Sequence, residues 1–363
     1  MIDVRSLRIA AVGDVMLGEQ FYQYGRGPRS RIATLGSRFL PDDLQGLLRS
    51  HDLVLGNVEC VLSDVGYRPR SLRSHQLRGS PDMAAFLHQW GFSLVNVANN
   101  HMLEHGRDAA IDTVTHLRSA GLAVVGAGPG AGFAAGLEPL LLSVGKLRVG
   151  ALSACLLREK YAAHGDVDEV SLLAAVAALR PQCDVLIVSL HWGAEYMDRP
   201  TAAQRDYAHQ LVDAGATLVI GHHPHVVQGV EQHGAGLIAY SLGNFVFDQV
   251  SADARWSCVL ACTVSTAGVD AWDCHPVRLN SSHAPELAQG RTCSQLKQKL
   301  HRRHAYLAEP PLPPREYMAL ARRAERHSRL RLLRAIAGAL PRLPPDYAAQ
   351  VCLRPVFRRL GVW

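Results

Sequence analysis

Along the first two thirds of the chain, short apolar runs recur, and many close on a polar residue beside glycine. The runs at 7–12, 52–55, 93–98, 122–125, 149–152, 184–190, 217–220 and 236–240 are brief, aliphatic and bounded by Gly, Asn or Asp. Such runs predict strands buried on both faces. Between them the apolar spacing changes to that of helices. The stretch 107–120 places Ala110, Ile111, Val114 and Leu117 on one face, and 202–214 does the same with Tyr207, Leu211 and Val212 before Gly215. This alternation predicts an α/β protein with a parallel or mixed sheet core. Beyond about residue 277 the pattern changes. The stretch 281–314 carries few strand signals, and its AEPPLPPREY segment reads as a stiff proline linker. A basic helix is predicted over 316–340, with leucines interleaved with arginines. The expected organisation is a domain over 1–280, a proline-containing linker over 281–314 and a basic, mainly helical C-terminal extension over 315–363.

Charge sharpens that division. The 363-residue chain carries a net +6, yet residues 301–363 hold 13 arginines against 4 acidic residues, so the rest of the chain is slightly acidic. A basic tail expects an acidic partner: a membrane surface or another polyanion. The plainer reading is a set of helices that packs back on the domain. No aromatic residues interleave with the arginines in the manner that stacks bases, so no specific nucleic acid is expected. The eight cysteines are scattered without a Cys-x-x-Cys pair, which predicts neither a zinc cluster nor a disulfide framework. The apolar run near the N-terminus is short for a signal peptide, and 137–157 is too charged for a membrane span. The expected location is cytoplasmic, either free or peripheral to the membrane.

Candidate chemistry lies where the strands end. Gly13-Asp14 follows the first run. Gly56-Asn57-Val58-Glu59, Asn99-Asn100-His101, His191-Trp192-Gly193 and Gly221-His222-His223-Pro224-His225 follow later ones, and Ser241-Leu242-Gly243-Asn244 leads to Asp248. A single strand-end Asp or His is usually a cap or a loop hydrogen-bonder. In open α/β sheets, however, ligands bind beyond the carboxyl ends of the strands, where such residues converge. Carboxylate, amide oxygen and imidazole together suit Mn, Fe or Zn better than an all-oxygen cage. Within GHHPH, proline biases the residue before it toward extended backbone, and residues two apart then share a face. His223 and His225 are therefore expected to point into the crevice, and His222 away from it, as a packing or rim residue.

These motifs, with Glu195-Tyr196 after His191-Trp192-Gly193 and with Phe245-x-Phe247-Asp248 closing the series, resemble the capsule-synthesis CapA family, which is associated with poly-γ-glutamate capsule production. That family looks like a branch of the calcineurin-like metallophosphoesterases. The resemblance covers about residues 7–248 and not the tail. It implies a calcineurin-like metallophosphoesterase sandwich, two mixed β-sheets flanked by helices, with one or two divalent metals. By the same match, the metal ligands are Asp14, Asn57 or Glu59 (Glu59 favoured as the carboxylate), Asn100, His191, His223 and His225. His101 would assist the leaving group beside Asn100, and Asn244 and Ser241 are candidates to orient substrate. Two departures stand out. Met16 occupies the place where phosphoesterases carry a third-position histidine, and Glu104 stands where the family usually has Asp. Glu104 is expected to be a first-turn helix carboxylate.

The function implied is metal-dependent hydrolysis or transfer at a phosphoester or acyl-phosphate through a metal-bound hydroxide, on a phosphorylated or polyanionic substrate, in capsule or related polymer biosynthesis. The alternative is a non-catalytic scaffold subunit of a polymer-synthesis or amide-ligase complex. Partner subunits of such a complex are expected under either reading.

Overall fold

The computed structural model describes residues 6–128, 137–159 and 167–359. The parts of the expected domains at 1–5, 129–136, 160–166 and 360–363 lie outside the described residues. Two sheets stack face to face. The first contains β1 (Ser6–Val15), β2 (Leu53–Val58), β5 (Leu94–Asn96), β6 (Ala123–Val125), β13 (Asn244–Val246), β14 (Trp256–Ser265), β15 (Gly268–Leu279) and β16 (Pro285–Leu287). Its order is β16-β15-β14-β1-β2-β5-β6, with β13 also on β1. The second contains β7 (Leu140–Val144), β8 (Leu147–Cys155), β9 (Val185–His191), β10 (Leu218–His222), β11 (Val230–His233) and β12 (Gly236–Ala239), in the order β11-β12-β10-β9-β8-β7. A separate small pair joins β3 (Val61–Leu62) to β4 (Arg78–Gly79). Both large sheets are mixed. In the first, β1, β2, β5 and β6 run parallel out to one edge and β14, β15 and β16 pair antiparallel on the other side of β1; in the second, parallel strands form the centre and antiparallel pairs form both edges.

Burial explains the composition of the central strands. β9 reads VLIVSLH and is buried at every position. Ile9, Leu55, Ile187, Ile220 and Leu260 belong to the apolar layer between the sheets. The outer face of the first sheet is covered by α1 (Pro28–Leu35), α2 (Asp42–Arg49), α4 (Met83–Gln89) and α5 (Arg107–Ser119), through Ile32, Leu44, Leu48, Leu87, Val114 and Leu117. A short α3 (Leu72–His75) lies between β3 and β4. The outer face of the second sheet is covered by α6 (Glu169–Leu179) and α7 (Ala202–Asp213), through Leu172, Val176 and Leu211. Both helices begin with a capping box, Asp168 with Ser171 and Thr201 with Gln204, so their first backbone N–H groups are satisfied. The fold is thus the expected sandwich of two mixed sheets flanked by helices.

The stretch 281–314 differs from the expected linker. β16 adds an edge strand, and α8 (Gly290–Ala308) packs Leu296 and Leu300 into the layer between the sheets. The true proline segment is only 309–313. Leu296, Leu300 and Leu307 lie along one face of α8, and this sparse stripe was masked by the polar residues between them. The basic helix α9 (Pro314–Ala339) packs back on the domain, with Leu332, Ala335 and Ile336 beside Phe21, Tyr22 and Leu72. After a turn at Leu340–Arg342, α10 (Pro345–Arg359) docks through Tyr347, whose hydroxyl lies 2.8 Å from His75 Nε2. Among the described residues, no helix is long and apolar enough to cross a membrane.

Two glycines set the spacing at the carboxyl ends of the strands. A Cβ on Gly13 would lie 1.8 Å from the Gly243 carbonyl oxygen, and one on Gly221 would lie 2.0 Å from that of Tyr240. Asp14 N donates to the Gly243 oxygen at 2.8 Å, so the first contact seats β1 against β13. Gly13→Ala forces these backbones apart and is expected to cost about 3 kcal/mol or more, at the upper end of overpacking penalties. Denaturant unfolding checks this, and a wild-type midpoint would contradict it.

Candidate metal centre

The site begins with a break in regular pairing. The register of β1 against β2 shifts between Ala11 and Asp14, and Asp14 then stands opposite Asn57. Such irregularities re-aim a side chain. Asp14 also pairs with Asn244 on β13. In the other sheet His222 on β10 stands opposite His191 on β9. The two sheets thereby bring carboxylates and imidazoles to one end of the sandwich. One carboxylate oxygen each of Asp14 and Glu59 and one ring nitrogen of His191 lie within 4.8 Å of one another, all buried.

The surrounding expected residues converge on this group. His225 Nδ1 is 3.2 Å from Asp14 Oδ2, and its Nε2 is 3.6 Å from Glu59 Oε1. The His223 ring lies 5.0 Å from the His191 ring and 5.8 Å from the His225 ring, centre to centre. The Asn100 amide oxygen is 2.9 Å from His191 Nε2, and its amide nitrogen donates to Glu159 Oε2 at 2.8 Å. With Nε2 donating to Asn100, His191 Nδ1 is left facing the carboxylates. His225 is set in the same way. Asn244 donates to Ala254 O and Gln249 Oε1, which turns its own oxygen to His225 Nδ1 at 2.9 Å. His225 Nε2 is therefore the atom free to face Glu59. Such outer partners orient metal-ligating imidazoles.

Several expectations are corrected. Asn57 does not offer an oxygen. Its Oδ1 accepts from Asn96 Nδ2 at 3.0 Å and Asn99 Nδ2 at 3.2 Å, so its amino group faces Asp14 Oδ1 at 2.9 Å and Glu59 Oε2 at 3.2 Å. Asn57 holds the two carboxylates together rather than joining them as a ligand. Asn244 is fully buried with both ends of its amide engaged, so it positions His225 instead of meeting substrate. Ser241 is also fully buried and accepts from Gly243 N at 3.2 Å, a turn-stabilising bond. His222 does not point away: it is buried, with Nδ1 3.3 Å from Asp14 Oδ1. The extended geometry assumed for HHPH is absent, because His223 and His225 have φ of 94° and 59°. These left-handed turns aim the rings by a route that alternation does not describe. Glu104 also takes another part. It lies in the turn before α5, and its Oε2 is 2.9 Å from His101 Nδ1.

The electrostatics follow from burial. Glu59 is pushed up to about 8 by burial and by the charge on Asp14. Burial also disfavours the Asp14 carboxylate, but His222 and His225 beside it hold it well below the usual range. His225 is held up at about 10, against the effect of burial, by Glu59 and Asp14. Burial lowers His191 well below the ordinary imidazole value, aided by the charge of His223. Burial and the charge on His225 lower His223 to about 3. Glu59 Oε1 and His223 Nδ1 are buried without a hydrogen-bond partner, and so is His222 Nε2, while His222 Nδ1 faces Asp14 Oδ1 at 3.3 Å. Unpartnered carboxylate and imidazole atoms within one buried cluster fit a divalent cation with mixed N and O ligands.

The family model of the bacterial capsule synthesis protein PGA_cap matches residues 8–249. The chain belongs to this capsule-synthesis family. It is 31% identical over 256 residues to the capsule biosynthesis protein CapA of Bacillus anthracis, covering 67% of this chain and 60% of that protein. The chain thus spans less than two thirds of that relative's length. It is 27% identical over 289 residues to the PGA biosynthesis protein CapA of Bacillus subtilis (strain 168), covering 76% and 72%. A crystal structure of a Mycoplasma pneumoniae phosphatase overlays with a TM-score of 0.48 at 13% identity, covering 76% of this chain and 94% of that one. A 5'-nucleotidase from Candida albicans overlays at 0.43 and 12%, covering 83% and 58%. The two mixed sheets flanked by helices that the CapA resemblance implied are those described above. Six residues of the site were not singled out as partners from the sequence: His222, Asn96, Asn99, Glu104, Glu159 and Gln249. His222 and Asn99 stand within quoted motifs and Glu104 follows one, but only tertiary contact reveals what they hold.

Glu59 is held above the ordinary carboxyl range and His225 above the ordinary imidazole range, so near neutral pH this interacting pair retains protons. A divalent metal must displace them, because ligands bind deprotonated. Titration calorimetry with Mn or Zn in buffers of different ionisation enthalpy is expected to show net proton release on binding at pH 7. Release falls and affinity climbs as the pH is raised. Binding with no proton release would contradict this arrangement.

Proposed function

We propose that this CapA-family chain is a metal-dependent hydrolase or transferase acting at a phosphoester or acyl-phosphate in capsule or polyglutamate-type polymer biosynthesis. The observation that carries this reading is the convergence of Asp14, Glu59 and His191 within 4.8 Å, with one Glu59 oxygen left orphaned. Asp14, Glu59, His191, His223 and His225 would hold one or two divalent metals, while Asn100, expected as a ligand, has its amide oxygen 2.9 Å from His191 Nε2 and orients that ring instead. A bound divalent cation supplies Lewis acidity, which neutralises phosphoryl oxygens and acidifies water.

The chain's own residues supply the proton chemistry. His101 is the member of the cluster that reaches the opening, with its side chain 26% exposed, against 0% for Glu59. Glu104 accepts from Nδ1, so Nε2, 3.8 Å from Glu59 Oε1, is the nitrogen that takes up the second proton in the imidazolium and can give it away. Burial alone would discharge this imidazole, but Glu104 and Glu59 raise its pKa. In hydrolysis, water adds to phosphorus as the bond to the leaving oxygen breaks, and Nε2 passes its proton to that oxygen. Asn100 keeps His191 in place and Asn57 keeps Asp14 and Glu59 side by side, so the geometry is set before substrate arrives.

A second reading, the scaffold subunit of a polymer-synthesis or ligase complex, is favoured by one observation. Met16, at the position of the phosphoesterase histidine, is fully buried in the apolar core and offers the site nothing. The two readings separate on turnover by metal-loaded protein. Hydrolysis of bis-p-nitrophenyl phosphate or acetyl phosphate is expected, with His101→Asn lowering kcat by about 10²–10⁴-fold at unchanged metal content. Metal-loaded wild type without turnover of either probe would favour the scaffold. Glu104→Gln removes the charge that raises the pKa of His101. A general acid works only while protonated, so the alkaline limb of the rate profile moves to lower pH. An unmoved limb would remove His101 from that role.

A further inference from the structure

The net positive charge of the chain has a definite place in the fold. α9 carries seven arginines against two glutamates in 26 residues. One stripe of it faces the domain, with Tyr317 and Ala339 buried and Leu332 and Ile336 half-buried against Phe21, Tyr22 and Leu72. Arg331, at the edge of that stripe, donates to Ser251 Oγ at 3.1 Å. At 100° per residue, the opposite face presents Leu330 and Leu333 around Arg326, with Arg322 and Arg329 on one flank and Arg323 on the other. Leu330 and Leu333 are 55% and 54% exposed. Among the described residues no ion pair engages these four arginines. Because the inner stripe is anchored along the helix, this outer face is rigid and is presented as a single surface about 39 Å long.

We propose that the outer face of α9 docks on the surface of an anionic lipid bilayer. Charge alone would draw the arginines to any polyanion. The leucines decide between partners, because a soluble polyanion leaves Leu330 and Leu333 in water, whereas the boundary between headgroups and acyl chains receives them. The flanking arginines can lay their aliphatic stems along the same boundary and keep their guanidinium groups among the phosphates. A helix with an apolar strip framed by arginines is the pattern of interfacial binding. The docking also has a direction. The inner stripe of α9 rests on residues that follow β1 and β13, near Phe21 and Ser251, at the carboxyl ends of the strands. A bilayer on the outer face therefore lies on the same side of the molecule as the cluster of Asp14, Glu59 and His191.

The test uses the full chain in co-sedimentation with vesicles of phosphatidylglycerol and phosphatidylcholine, and of phosphatidylcholine alone, near 0.1 M salt. The expected result is partitioning at least about tenfold stronger onto the anionic vesicles, falling with added salt. Leu330→Ser with Leu333→Ser, both exposed, is expected to keep the wild-type melting temperature and lower partitioning about tenfold. Arg322→Gln with Arg326→Gln and Arg329→Gln is expected to lower it further. No binding to anionic vesicles would overturn the proposal. So would binding that the leucine changes leave intact and that soluble polyglutamate displaces, since that is the behaviour of a site for a soluble polyanion.

Discussion

Two carboxylates, Asp14 and Glu59, are fully buried side by side at the carboxyl ends of the strands, and much of the surrounding architecture accommodates that placement. Buried ionised carboxylates are costly unless they are paired and hydrogen-bonded. Asn57 meets part of this cost by donating to both, and Asn96 and Asn99 hold its amide in the orientation that can donate. His222 and His225 supply compensating imidazoles. What remains is a deficit: the Glu59 Oε1 and His223 Nδ1 atoms are buried and unsatisfied. A cluster built for its own stability would close those valences with further donors. This one leaves them open in the same buried cluster as Asp14 and His191.

The loops follow from the same constraint. Left-handed backbone at Tyr196, His223 and His225 is costly for residues with a Cβ, and it clusters beside the site. Tyr196 N donates to Pro224 O at 2.8 Å, so the loop after β9 braces the turn that aims His223 and His225. On the opposite sheet, Asp248 Oδ2 accepts from Gln20 N at 2.7 Å and ties the end of the β13 segment to the loop after β1. Burial, with the nearby charge of Glu19, pushes Asp248 up to about 8, against the opposing effect of the Gln20 N–H bond. The C-terminal extension adds a third brace, with α9 against Phe21 and Tyr22 and α10 against His75.

The mixed α/β core and the order of its polar strand ends were legible because parallel strands buried on both faces read as short aliphatic runs, and because ligand-type residues follow them; the two-sheet sandwich was implied only by the CapA resemblance. β14 and β15 were less visible. β14 mixes Ser and Cys into its buried positions, and β15 carries exposed Asp270, Ala271 and Asp273, so neither reads as a continuous aliphatic run. Within the site, residue type was readable and side-chain direction was not. Asn57 and Glu59 could be named, but which end of the Asn57 amide faces the carboxylates depends on Asn96 and Asn99. His222 was expected outside on an assumption of extended backbone, and the positive φ angles at His223 and His225 overturn it. Glu104 was read from its sequence distance to α5, whereas its partner His101 is set by the turn that precedes the helix.

The paired buried carboxylates are tested most directly by metal content. Wild type, Asp14→Asn and Glu59→Gln are purified alike, incubated with Mn, Fe or Zn, desalted and analysed by mass spectrometry, with melting temperatures measured before and after chelation. Wild type is predicted to retain about one or two metal ions per chain and to lose thermal stability on chelation, while both variants retain far less. Wild type that holds no metal and melts identically with and without chelator would contradict the assignment of this cluster as a metal centre.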